Sequence, residues 1–421
     1  MRARVYPYIG DSSRTLIGEL SGMFLVGFAS MIVAMGTTWI VTPLLIRVAE
    51  RLGAIDLPGE RKAHDSPTPR IGGVAVFAGF VAGMAFAAYA TGLLFHLPQG
   101  VYWRSLMIAA FGLFLVGLID DLWDLSFRWK FAAQIVASVY VWQAGFRIDI
   151  ISHPFGGELD LGLLSLPLTV LWIVGITNAV NLIDGLDGLA TGVALITTLT
   201  IGIIGFERGL LGVTAASVTL AGALIGFLHF NFNPARIFLG DSGSLFLGFV
   251  LAVTSVRGSQ KGTTAVAIFV PLLVLGLPLM DTGLAVFRRT LELRTRGMRT
   301  SSAFGYFLKN YSHVFLPDRG HIHHRLLDLG LSHRNAVLVL YGVGVVFALA
   351  AFSVVAVNSG WVAILLVAAL LSAMAGFLGL LYVHARRARR RDAAAREREK
   401  AREAAPTHGG LARQGSQAPS R

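Results

Sequence analysis

In Gly117-Leu-Ile-Asp-Asp-Leu-Trp-Asp124 an apolar run of about twenty residues, long enough to cross a bilayer, ends abruptly in three carboxylates. Asp120 and Asp124 are four apart and Asp121 and Asp124 three apart, so they share a face if the helix persists. Clustered carboxylates repel, and charge at a membrane boundary is poorly solvated, so the arrangement is costly without a compensating cation. A divalent metal meets that need. The plainer alternative is a helix end that frays into water.

Working outward, the run is one of many. With 54% hydrophobic and 14% charged residues and a mean hydropathy of +0.66, the 421-residue chain reads as an all-α, polytopic membrane protein. Apolar runs predict about eleven spans, near 23–46, 71–94, 104–119, 129–146, 166–183, 188–206, 210–229, 242–256, 264–287, 335–357 and 361–383. The first lacks a small-residue cleavage site and reads as a retained helix. Residues 1–383 form the membrane domain, and 384–421 a basic tail that frays into disorder beside anionic headgroups. Residues 147–165 alternate around Pro154-Phe-Gly-Gly157 and predict a small outer β-hairpin. Small residues, as in Gly188-Leu-Ala-Thr-Gly192, suit close helix packing.

The net charge of +12 is a topology signal rather than a nucleic-acid footprint. Arg47, Arg51, Arg61, Lys62, Arg70, Arg128, Lys130, the segment Arg288–Arg334 and the arginines of the tail all fall on one side of the predicted spans. That side is assigned to the cytoplasm, with the N-terminus outside and the C-terminus inside. Arg2, Arg4 and Arg14 run against the rule. The chain has no cysteine, which leaves oxygen and imidazole as metal ligands.

The polar clusters all fall in the loops assigned to that side. Arg61-Lys-Ala-His64, followed by Pro67-Thr-Pro-Arg-Ile-Gly-Gly73, puts Lys62, His64 and Arg70 before a helix start whose glycine amides could receive an anion; the alternative is an ordinary basic loop. After the aspartates come Arg128-Trp-Lys130 and Gln134, so that carboxylates suited to a metal stand beside a lysine suited to a phosphate. Asn178-Ala-Val-Asn-Leu-Ile-Asp-Gly-Leu-Asp-Gly188 places Asn178, Asn181, Asp184 and Asp187 between two apolar runs, a functional signature for which helix pairing by the asparagines is the alternative. Phe232-Asn-Pro-Ala-Arg-Ile-Phe-Leu-Gly-Asp-Ser-Gly-Ser244 sets Asp241 at a helix mouth, as a cap or as a further metal ligand. His321-Ile-His-His-Arg325 is a weak zinc pattern and a better phosphate or nucleotide contact.

In this order, from about Leu52 to Leu331, these stretches resemble the polyprenyl-phosphate N-acetylhexosamine-1-phosphate transferase family. The resemblance implies that a cytoplasmic UDP-N-acetylhexosamine gives its sugar 1-phosphate to undecaprenyl phosphate. UMP leaves, Mg²⁺ or Mn²⁺ is required, and the setting is the bacterial inner (cytoplasmic) membrane; a homodimer is allowed. It implies that Asp120 and Asp121 lie near the metal and lipid phosphate, that Asp241 binds the metal, and that Asn181, Asp184 and Asp187 fall on the third motif. Lys130 falls on a basic position, and His321, His323, His324 and Arg325 on a histidine loop associated with the nucleotide. Asp124, completing Asp-Asp-x-x-Asp, and His-Ile-His-His-Arg look like the branch that uses UDP-N-acetylglucosamine, rather than the pentapeptide-transferring branch of peptidoglycan synthesis. The loop between Arg294 and Leu316 is longer than the family's usual one and leaves the sugar open. A cation transporter is the alternative from another class; it predicts carboxylates near the bilayer midplane.

Overall fold

The computed structural model describes residues 12–56, 67–91, 99–152, 158–259, 364–370 and, apart from 328, 326–357, with isolated residues elsewhere in 272–280 and 361–376. Nine helices occur among them: α1 (Ser12–Ala49), α2 (Gly72–Thr91), α3 (Gln99–Trp123), α4 (Phe127–Gln143), α5 (Ser165–Ile183), α6 (Leu189–Glu207), α7 (Leu211–Asn231), α8 (Gly240–Ser259) and α9 (His333–Val357). A backbone in lipid must satisfy its own polar groups, and these sequences do so as helices.

Seven of the nine are long and apolar enough to cross a membrane, at the places where the apolar runs predict spans. The other two, α4 and α8, carry polar residues of the candidate site. The expected span at 264–287 falls mostly outside the described residues, and that at 361–383 only in part: residues 364–370 are described and helical.

A 3-10 turn at Gly162–Leu164 and two short antiparallel strand pairs also occur among the described residues. Strands β3 (Ile150–Ser152) and β4 (Glu158–Asp160) pair with Ile151 opposite Leu159, within the segment expected to form a hairpin. Strands β1 (Ile55–Asp56) and β2 (Thr68–Pro69) were not foreseen.

Close packing follows from small residues. Gly79 and Gly83 on α2, and Gly222 and Gly226 on α7, face the backbone of α1, where an added Cβ would overlap the carbonyls of Ala34, Ser30, Met31 and Met35. Gly192 on α6 receives the ring of Tyr341 from α9, whose hydroxyl donates to the Gly188 carbonyl at 2.6 Å. Helix α8 is buried from Ser242 to Val256 and packs against α2, α3, α5 and α6, so its N-terminus lies where α3 ends, α4 begins and α5 ends.

Candidate active site

Helix α3 stops at Trp123. Asp124 takes a left-handed conformation (φ 49°), its amide still bonded to the Asp120 carbonyl at 3.0 Å. The shared face expected of Asp120, Asp121 and Asp124 therefore does not form. Asp124 turns to solvent and meets Arg70 at 3.4 Å, a long, exposed pair. Asp120 and Asp121, adjacent on the last turn, diverge.

Asp120 accepts the Leu125 amide at 2.6 Å and Lys130 Nζ at 2.9 Å. The same Nζ donates to Asp241 Oδ2 at 2.8 Å, so one ammonium from the first turn of α4 joins the end of α3 to the start of α8. Asn181, near the end of α5, donates through Nδ2 to Asp241 Oδ1 and to Ser244 Oγ, both at 2.8 Å. Asp241 is thus held from two helices.

Asp121 is buried, and its two oxygens accept the backbone amides of Asp241 (2.8 Å) and Ser242 (3.0 Å). It caps α8 from another helix, which satisfies free N–H groups and places a negative charge at the positive end of the helix dipole. Asp121, expected as a metal ligand, is thus engaged as a cap by both of its oxygens. The approach is close. A Cβ on Gly117 would lie 2.5 Å from the Asp241 carbonyl carbon, and one on Gly240 (φ +74°) 2.7 Å from Asp121 Oδ2.

Asp184 follows the last residue of α5. Asp187 Oδ2 accepts Asn233 Nδ2 at 2.9 Å and the Ala235 amide at 3.0 Å, pinning the segment that leads into α8. Asn178 is buried and paired with Gln134 on α4 (Asn178 Nδ2 to Gln134 Oε1, 2.5 Å), the arrangement that the helix-pairing alternative predicts. The anion cradle expected at Gly72 and Gly73 is also corrected. Their amides donate to the carbonyls of Phe238 (2.9 Å) and Leu239 (2.7 Å) in a strand-like strip. Arg70 stands at that strip, while Lys62, His64, His321, His323, His324 and Arg325 lie outside the described residues. Asn233 and Ser244 went unassigned in the sequence although both lie in the fourth stretch; nothing local marks their partners.

The donor chemistry suits a hard divalent cation. Burial, and then the carboxylates of Asp241, Asp121 and Asp187, push the Asp184 carboxyl well above the usual carboxylate range, a mutual repulsion that added positive charge would relieve. Among the described residues no three His, Asp or Glu side chains form a ready-made metal shell. Mg²⁺ does not need one, since it is commonly held by one or two carboxylates with waters and substrate phosphates.

Comparison with known proteins gives the family. A family model described as glycosyl transferase family 4 matches residues 103–259, which hold α4 to α8 and most of α3. The chain is 40% identical, over 76% of its length and 83% of the relative's, to a probable undecaprenyl-phosphate N-acetylglucosaminyl 1-phosphate transferase of Bacillus subtilis (strain 168). The chain belongs to glycosyl transferase family 4. Within that family it is also 36% identical to the decaprenyl-phosphate N-acetylglucosaminephosphotransferase of Mycobacterium tuberculosis (strain ATCC 25618 / H37Rv), over 86% of this chain and 90% of that one. A more distant family member is the undecaprenyl-phosphate alpha-N-acetylglucosaminyl 1-phosphate transferase of Escherichia coli (strain K12), 26% identical over 70% of this chain and 74% of that one.

Proposed function

We propose that this protein transfers N-acetylglucosamine 1-phosphate from UDP-N-acetylglucosamine to a polyprenyl phosphate, undecaprenyl phosphate in the first instance, and releases UMP. The reading places it in the bacterial cytoplasmic membrane with the site on the cytoplasmic side, at the first membrane step of an envelope polysaccharide. The observation that carries it is the meeting of Asp120, Lys130, Asn181 and Asp241 at one end of α3, α4, α5 and α8, in a chain whose relatives are named for this transfer. A transporter would set its carboxylates deeper, whereas these lie at helix ends.

A phosphate oxygen of the lipid attacks the β-phosphorus of the nucleotide sugar. A P–O bond forms there as the bond to the bridging oxygen breaks, and UMP departs with that electron pair. The phosphate needs little help from a base, because a second pKa of about 6 leaves it largely dianionic at neutral pH. Direct displacement is therefore favoured over a phospho-aspartate. Lys130 is placed to move from its two carboxylates to the reacting phosphates, and Asp120 to orient the lipid phosphate. Asp241 would hold Mg²⁺ (or Mn²⁺), with Asp184 beside it and Asp121 fixing the backbone behind it. When bound, the cation would offset the charge that builds on the departing UMP phosphate.

The test is UMP release by purified protein with undecaprenyl phosphate, UDP-N-acetylglucosamine and Mg²⁺. Release that needs the lipid and stops with EDTA is expected. Activity only with UDP-N-acetylgalactosamine or with UDP-N-acetylmuramoyl-pentapeptide would move the donor. Silence with every donor from folded protein would overturn the reading.

A further inference from the structure

Gln134 is fully buried in α4 and faces Asn178 on α5. Asn178 donates to Gln134 Oε1 and to the Val174 carbonyl, and Gln134 Nε2 lies 3.5 Å from Asn178 Oδ1, so two amides close a reciprocal pair between the helices. One turn nearer the site on the same faces stand Lys130, four residues before Gln134, and Asn181, three residues after Asn178. These are the two residues that hold the Asp241 carboxylate, each at 2.8 Å.

We propose that the Gln134–Asn178 pair is the register pin of the site: it fixes α4 against α5 so that Lys130 and Asn181 reach Asp241 together. A paired amide adds little net stability inside a membrane bundle, whereas an unpaired one is costly, so the pair's main effect is to exclude other registers. The tolerance is small. A slide of one residue moves a helix by about 1.5 Å and turns it by about 100°, enough to carry a 2.8 Å contact out of hydrogen-bond range. Both residues are positioning residues, acting on the reaction through Lys130 and Asn181. The inference rests on the transferase reading.

The test compares Gln134→Leu, Asn178→Leu, the double Leu variant and the exchange Gln134→Asn/Asn178→Gln. UMP release and thermal midpoint in detergent are measured for each. Each single variant should lose at least tenfold in kcat. The double Leu variant, with no amide left unpaired, should regain the wild-type midpoint but not its kcat, while the exchange variant should recover most of the kcat. Wild-type kcat in the double Leu variant overturns the proposal, since packing alone would then suffice. So does an exchange variant no better than the singles, which decides the matter if the double Leu protein fails to fold. If the wild type itself is silent, the transferase reading fails and the pin is tested by the structure of Gln134→Leu. Lys130 Nζ should then stand beyond hydrogen-bond range of Asp241; an unchanged contact refutes the pin.

Discussion

Replacing Asp121 by Asn separates a cap from a metal ligand. The carboxylate accepts two backbone amides at the start of α8, at 2.8 and 3.0 Å. An asparagine keeps one acceptor and turns an NH₂ group toward the other amide, donor against donor. A hydrogen bond to a charged group contributes about 1.5–3 kcal/mol, and a charge at a helix N-terminus about 0.3–1 kcal/mol. Together these put the loss at about 2–4 kcal/mol. Asp241→Asn is predicted to behave differently. Its oxygen can face Lys130 and its NH₂ the Asn181 oxygen after an amide flip, so stability should change by less than about 1 kcal/mol. Both variants should lose turnover. Thermal unfolding in detergent with and without Mg²⁺, alongside UMP release, distinguishes the roles. Mg²⁺ should raise the midpoint of the wild type, but not that of Asp241→Asn, because an ion bound only by the folded state stabilises it. An Asp121→Asn protein as stable as the wild type would falsify the cap, and equal loss of the Mg²⁺ effect in both variants would restore Asp121 as a ligand.

Asp184 sets a pH dependence. Its carboxyl is raised in the folded state, so the folded chain binds that proton more tightly than the unfolded chain does, and stability falls as pH rises from the ordinary value of 3.8 through the raised one. In EDTA the thermal midpoint should therefore be lower at pH 8 than at pH 5, and Asp184→Asn should raise the pH 8 value and narrow that difference; an unchanged difference counts against the repulsion. Asp187→Ala removes the acceptor for Asn233 and the Ala235 amide, at a cost of about 1–3 kcal/mol, and should speed hydrogen exchange across residues 232–239 while lowering turnover. Gly240→Ala must hold a left-handed conformation, at about 1–2 kcal/mol, with its Cβ against the Arg70 carbonyl and Asp121. Turnover and thermal midpoint should fall together; wild-type values of both would show that the approach of α3 to α8 is looser than described.

Seven spans were legible because a helix in lipid is written in consecutive residues, and the local run of apolar side chains is the whole signal. The convergence of Asp120, Lys130, Asn181 and Asp241 was legible for a related reason: alternating spans bring every second loop to one side, and these four lie at that side's helix ends. What each carboxylate touches was not. The helix stops at Trp123 because the chain turns left-handed at Asp124, where no glycine marks the change. Gly72 and Gly73 read as an anion cradle because their amides are free at a helix start; the carbonyls that take them, on Phe238 and Leu239, come from a segment far along the chain. Periodicity cannot carry that information.

The cap on α8 shows why local reading stalls at Asp241. Gly-Asp-Ser-Gly-Ser at a helix mouth has the composition of a self-capping start, and an aspartate there that bonded its own helix would be spent on stability. Here the cap comes from Asp121, 120 residues earlier, delivered by the last turn of α3. Its delivery depends on Gly117, one turn before Asp121, and on Gly73 against Gly243, where side chains would hold the helices apart. With its helix capped from outside, Asp241 turns both oxygens to Lys130 and Asn181, side chains that a substrate phosphate or a cation can displace at little cost to the fold. Two aspartates therefore divide the work: the more buried one fixes the backbone, and the other is left available for the role in metal binding proposed for it.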